Sequence, residues 1–198
     1  LGLHALQHRG QESTGVVAAD GERFHVVKGI GLVHHVYRDA QLEQVPGVLA
    51  IGHNRYSTSG GLTRENTQPL MVVYRGGPLA LAHNGNLVNA RELRDELVRA
   101  GSIFQTTSDT EVILHLYARS KAPTDEDALV ESVSQVSGAF SMVLLTKNRL
   151  MAAPDPHAAR RQPATAQMCR CAMSRPLCNR RAEAKAAKVR WGDSAHRG

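Results

Sequence analysis

Arg55, the run His83-Asn84-Gly85-Asn86, and Asp109 are polar residues that interrupt strand-like or helix-like stretches of this chain. Their types suit a site that stabilises a reacting carbonyl. Arg55 presents a planar fork of donors that can hold a carboxylate through two parallel bonds, with the hydroxyls of Tyr56, Ser57 and Thr58 beside it. Asn84 offers a side-chain amide, and Gly85 a backbone N–H that can come close to a developing oxyanion. Asp109 can receive an ammonium group. One site would then contain both ends of an amino-acid zwitterion and an anion hole between them. Each residue also has a plain structural reading. Arg55 can pair with an acid, and Asn-Gly is the commonest dipeptide of two-residue hairpins. Ser108 and Glu111 make a capping-box pattern that accounts for Asp109 in a first helical turn without any ligand.

The elements that must position these residues follow from periodicity and turn chemistry. LGLHALQHRG reads as the end of a helix with Gly10 as a left-handed C-cap residue. GVVAAD and RFHVVKG are short strands around the Asp20-Gly21 turn, and GVLAIGHNRY, PLMVVYR and PLALAHN are three more. The period then changes to that of helices. NARELRDELVRAG has Asn89 as N-cap and Glu92 three residues on, SDTEVILHLYARS follows, and DEDALVESVSQV is the third. AFSMVLLT and RLMAA, joined at Lys147-Asn148, return to strands. Strands, helices, then strands, with hairpins and no repeated strand-helix-strand rhythm, predict an α+β fold with helices layered on antiparallel sheet.

Composition divides the chain in two. The formal charge of +6 is not evenly spread. From His157 onward there are ten Lys and Arg against Glu183 and Asp193, so the preceding residues carry a small net negative charge. The segment from about Pro154 also holds Cys169, Cys171 and Cys178 and the lone Trp191, and has little periodic apolar pattern. It is expected to be a poorly ordered basic tail. The Cys-x-Cys-x6-Cys spacing matches no common closed zinc site, so no metal is expected. No apolar run is long enough to span a membrane and no signal sequence is present, which makes a cytoplasmic protein without a membrane partner the expectation. Leu1 to Leu6 reads as the middle of a helix, as though the chain begins inside a larger one.

Five motifs in order, LHALQHRGQESTG, GHNRYSTSG, AHNGNLVNARELRDEL, IFQTTSDTEVILHL and GAFSMVLLT, resemble the glutaminase domain of the amidophosphoribosyltransferases, a class II glutamine amidotransferase family of purine nucleotide synthesis. The resemblance spans residues 1–157, leaving 158–198 as the tail. It implies the four-layer αββα sandwich of N-terminal-nucleophile hydrolases. It also implies that Arg55 holds the glutamine carboxylate with Thr58 completing the pocket, that Asp109 holds the α-amino group, and that Asn84 and Gly85 form the oxyanion hole. The family converts glutamine, phosphoribosyl diphosphate and water to phosphoribosylamine, glutamate and diphosphate. Full-length members are homo-oligomers that use Mg2+, some with an iron–sulfur cluster; neither group is expected in this chain.

Two departures limit what the resemblance implies. The family nucleophile is a cysteine at the mature N-terminus, with its own α-amino group as base, and it lies upstream of the Leu1-Gly2-Leu3 that opens this sequence. After Asp155-Pro156-His157 the family pattern stops, and no phosphoribosyl diphosphate loop follows. A truncated, frame-disrupted chain that holds glutamine without hydrolysing it is therefore the expectation. The alternatives are a glutamine-binding or regulatory module without catalysis, and a nucleic-acid binder acting through the tail. The latter lacks interleaved aromatic residues and matches no familiar module, so no nucleic-acid partner is expected.

Overall fold

The Asp20-Gly21 turn closes the first hairpin. β1 (Ser13–Ala19) and β2 (Phe24–Ile30) pair antiparallel, Gly21 has φ +97°, and Asp20 Oδ1 accepts the N–H groups of Glu22 and Arg23 at 2.8 and 2.9 Å. Before this hairpin come the short α1 (Gly2–Ala5) and a 3-10 turn, Gln7–Arg9; after it comes α2 (Val33–Val36). β3 (Leu49–Arg55) completes a sheet of order β2-β1-β3. β4 (Leu70–Tyr74) and β5 (Gly77–Leu87) form the next hairpin, followed by α3 (Ala90–Arg99), α4 (Glu111–Arg119) and α5 (Asp125–Ser134). β6 (Gly138–Thr146) and β7 (Leu150–Pro154) close a second antiparallel sheet of order β4-β5-β6-β7. This computed structural model describes residues 2–38, 41, 43–56, 61 and 63–154. Thr58 and the expected tail, with Cys169, Cys171, Cys178 and Trp191, lie outside the described residues.

Period-2 alternation sorts β5 and β6 between two cores. Leu79, Leu81, Met142 and Leu144 face α3–α5 and pack with Leu97, Ile113, Leu114 and Leu129. Ala80, Ala82 and Leu145 face the other sheet and meet Val17, Ala19 and Ile51. On the outer face of the first sheet, Leu3 of α1 sits over Gly52 and Val36 of α2 over Gly29, where a Cβ would lie 3.0 and 2.8 Å from those side chains. The order is short helices, sheet, sheet, helices: an α+β, four-layer αββα sandwich, as the resemblance implies.

Four local expectations are corrected. Gly10 is not a left-handed cap; its φ of −171° is extended, and a Cβ there would stand 2.6 Å from the Asn54 carbonyl oxygen, so close approach selects the glycine. Asn84-Gly85 is no turn, because β5 runs straight through it and pairs Asn84 with Ser141 and Gly85 with Phe140. Asn89 precedes α3 without capping it; its carboxamide instead bridges Gln135 and Ser137 at 2.9 and 2.8 Å, tying α3 to the start of β6. Ser108 and Glu111 form no capping box. α4 begins at Glu111, so Asp109 precedes the helix, and the Glu111 carboxylate turns back to Gln105 and Thr106.

Gly138 supplies a test of the β5–β6 pairing. Its φ is +135° and a Cβ would lie 2.1 Å from the Asn86 carbonyl oxygen, an atom fixed in the ladder. Gly138→Ala is expected to cost about 1–3 kcal/mol through backbone strain and overpacking, seen as a lower urea midpoint. An unchanged midpoint would show that the two strands yield at this point.

Candidate functional site

The end of β3, the end of β5 and the loop before α4 meet around one cavity of about 170 Å3, whose lining includes His53, Arg55, Asn84, Gly85, Ser108 and Asp109. Four of the five residues expected at the site are therefore brought together: Arg55, Asn84, Gly85 and Asp109. The fifth, Thr58, lies outside the described residues. Strand alternation explains how two come from β5. His83, Gly85 and Leu87 belong to its helix-facing side, and Asn84 to the side facing the other sheet, where it is exposed on the cavity. Gly85 has φ +146°, and a Cβ would lie 2.1 Å from the Ala139 carbonyl oxygen, so the approach of β6 already demands glycine here.

Arg55 is 4% exposed and donates through Nη1 to the Gly61 carbonyl at 3.2 Å. That carbonyl also accepts from Asn66 Nδ2 at 2.9 Å, and the Asn66 amide reaches Thr107 through Nδ2 to Oγ1 at 2.8 Å and through Oδ1 from N–H at 3.0 Å. A single buried amide thus joins the loop held by Arg55 to the loop that carries Asp109. Asp109 Oδ2 accepts the Leu87 N–H at 3.0 Å, which ties its carboxylate to the end of β5. Sequence reasoning missed Asn66. It lies in a loop without periodicity, and its partner is 41 residues away. The cluster of amides in Asn66-Thr67-Gln68 was the only sign of it.

The loop before α4 is organised by Glu111, which is 3% exposed. Its carboxylate accepts the N–H groups of Gln105 and Thr106, each at 2.8 Å, and the Thr106 hydroxyl at 2.7 Å. Burial by itself would raise its pKa; these bonds, with His115 3.8 Å away, prevail and bring it down to about 2. The Arg94 guanidinium of α3 lies over the ring of Phe104, on the same loop, at 4.1 Å. Burial also pushes His53 down to about 4 and lowers His83, so both rings are neutral at physiological pH. Lys28, brought down to about 8 by burial, donates to the Thr67 carbonyl at 3.2 Å and anchors the far side of the Asn66 loop.

Opposite charges at Arg55 and Asp109, with an exposed carboxamide between the elements that carry them, suit a zwitterion with a polar middle. No cluster of three or more His, Cys, Asp or Glu side chains among the described residues could hold a metal ion. No helix among the described residues is long and apolar enough to cross a membrane.

Residues 53–161 match the family model of the glutamine amidotransferase domain. Over 155 residues the chain is 52% identical to the chloroplastic amidophosphoribosyltransferase of Vigna aconitifolia, a match covering 78% of this chain and 32% of that protein. It is 49% identical over 160 residues to the amidophosphoribosyltransferase of Bacillus subtilis (strain 168), covering 80% and 34%. Among solved structures, the glutamine phosphoribosylpyrophosphate amidotransferase from B. subtilis, complexed with ADP and GMP, superposes with a TM-score of 0.73 at 49% identity, over 78% of this chain and 33% of that one. A structure described as the allosteric regulatory enzyme of purine biosynthesis gives 0.75 at 50% identity, over 78% and 34%. The chain spans about a third of the length of the curated relatives it matches.

Glu111 makes the loop that carries Asp109 sensitive to acid. Its carboxyl titrates lower in the folded chain than in the unfolded one, so it contributes stability fully above its ordinary value of 4.5, and that stability is lost as pH falls toward about 2. Glu111→Gln removes the charge and one of the acceptors. It is expected to cost about 1.5–3 kcal/mol at pH 7 and to flatten the stability–pH curve across that window. Urea unfolding at a series of pH values measures both; a variant curve parallel to the wild-type curve would refute the role.

Proposed function

The chain belongs to the glutamine amidotransferase domain family, and from that premise we propose that its cavity binds glutamine as the glutaminase part of an amidophosphoribosyltransferase of purine biosynthesis. The convergence of Arg55, Asn84, Gly85 and Asp109 on one cavity carries the reading. In it, Arg55 takes the α-carboxylate through its planar fork, with Thr58 assigned to the same pocket by the family resemblance alone, and Asp109 takes the α-ammonium. Asn84 and the Gly85 N–H face the side-chain carbonyl. As a thiolate attacks, charge moves onto that oxygen, and two preformed donors stabilise it more than they stabilise the ground-state carbonyl. The C–N bond then breaks, ammonia leaving with the proton that the thiol gave up, and water hydrolyses the resulting thioester to glutamate and restores the thiol. In the whole enzyme, ammonia would then displace diphosphate from phosphoribosyl diphosphate.

The thiolate is the part not supplied within the matched region. The first cysteine of the sequence is Cys169, and residues 53–161 contain none. A polypeptide of these 198 residues is therefore proposed to bind glutamine without turning it over, which is also how a glutamine-sensing module would behave.

Calorimetric titration with glutamine and an ammonia-release assay test the proposal together. Arg55→Lys keeps the charge and loses the fork, and Asp109→Asn removes the counter-charge. Each is expected to weaken glutamine binding by roughly 10- to 100-fold, the range for hydrogen bonds to charged groups. Ammonia release is expected to stay at the level of a protein-free control. Unchanged affinity in both variants would remove the zwitterion clamp. Release that Asn84→Ala abolishes would reveal another nucleophile.

A further inference from the structure

On the helix-facing side of β5 a polar cluster, two members of which, Gln68 and His83, also line the cavity, has no part in the reading above. Gln68, His83 and Thr110 are 6%, 3% and 0% exposed. The Thr110 hydroxyl is their node. It accepts from Gln68 Nε2 at 3.2 Å, lies 3.0 Å from His83 Nδ1, and donates to Asp109 Oδ1 at 3.4 Å. Gln68 Oε1 in turn accepts the backbone N–H of His83 at 2.6 Å, so the cluster is fixed to β5.

The hydrogens can be placed by elimination. A hydroxyl has one hydrogen and two lone pairs, and Gln68 occupies one pair. If the hydrogen goes to Asp109, the second pair receives a proton from His83 Nδ1, and Nε2 is a bare acceptor. The opposite arrangement puts the proton on Nε2, which is buried with no partner among the described residues. A buried N–H without an acceptor is the rarer and costlier outcome. It would also turn an Nδ1 lone pair toward the Asp109 carboxylate 3.8 Å away. The first arrangement is the consistent one, and it ends in a donor aimed at Asp109 Oδ1 while the Leu87 N–H holds Oδ2.

We propose that Thr110 is a positioning residue whose hydroxyl, oriented by Gln68 and by the Nδ1–H tautomer of His83, fixes the Asp109 carboxylate for the α-ammonium of glutamine. This rests on the role given to Asp109 above. At 3.4 Å the last contact is longer than an ordinary hydroxyl hydrogen bond. It therefore sets the carboxylate's orientation rather than adding a strong bond, and its effect belongs to ligands that carry an ammonium.

Glutaramate, which is glutamine without the α-amino group, isolates that effect. The full chain and its Thr110→Val and Thr110→Ser variants are titrated with both ligands. Thr110→Val is expected to bind glutamine roughly tenfold more weakly and glutaramate unchanged, and Thr110→Ser to restore the wild-type ratio. In an Asp109→Asn background, Thr110→Val is expected to add nothing. Long-range 1H–15N NMR on the wild type is expected to find the His83 proton on Nδ1, a measurement that stands even if the valine variant fails to fold. Equal weakening of both ligands, unchanged glutamine affinity, or a proton on Nε2 overturns the proposal. A wild type that binds glutamine no better than glutaramate overturns the role of Asp109 itself, and this proposal with it.

Discussion

The register of β5 against β6 is the constraint on which the rest of the molecule depends. Over Leu79–Ala82 β5 is buried on both faces, so this stretch has no solvent side to absorb an error. Leu79 and Leu81 face the helices, while Ala80 and Ala82 let the other sheet approach. A slip of one residue would exchange these sets. It would also turn Asn84 from the cavity toward the helices and bring His83 into its place. Core packing and site geometry are thus specified by the same pairing, and Gly85 and Gly138 are glycines because the partner backbone leaves no room for a Cβ.

Around that frame the two charged ends of the cavity are set by neutral groups. Asn66 links the Gly61 carbonyl, held by Arg55, to Thr107, two residues before Asp109. The bond from Gln68 to Thr110 adds a second link, to the residue after Asp109. An uncharged amide fixes distance without cancelling charge, which suits a site meant to hold a zwitterion. The charged group that does shape the loop, Glu111, is satisfied by two backbone N–H groups and a hydroxyl.

The sequence was informative where one residue type answers one local demand. Asp20-Gly21 announced its hairpin, and the 3.6-residue period announced α3 to α5. It misled where the demand came from elsewhere in the chain. Gly10 resembles a cap residue but is glycine because the Asn54 carbonyl approaches it. Asn84-Gly85 has the composition of a turn, yet pairing with Phe140 and Ser141 keeps it in a strand. Ser108 and Glu111 have capping-box spacing, but Glu111 finds better partners in Gln105 and Thr106. The cavity residues stood out through the order of several motifs rather than through any one of them. The buried polar links Asn66–Thr107 and Gln68–Thr110 join positions about forty residues apart, a distance that periodicity and turn chemistry do not span.

The path from β5 to β6 also carries a consequence for how the chain reaches this structure. β1–β2, β4–β5 and β6–β7 are hairpins between neighbours in sequence, of the kind that forms in about 1–10 μs. Leu87 and Gly138, by contrast, are paired across α3, α4 and α5. Closing that span costs chain entropy before any ladder contact repays it. The innermost strand pair is therefore expected to form late, which φ-values near zero at Leu81 and Leu144 would reveal. Until it closes, the strands that will line the cavity have their apolar faces open to solvent, so self-association during folding competes most strongly at the same place where the finished molecule is most buried.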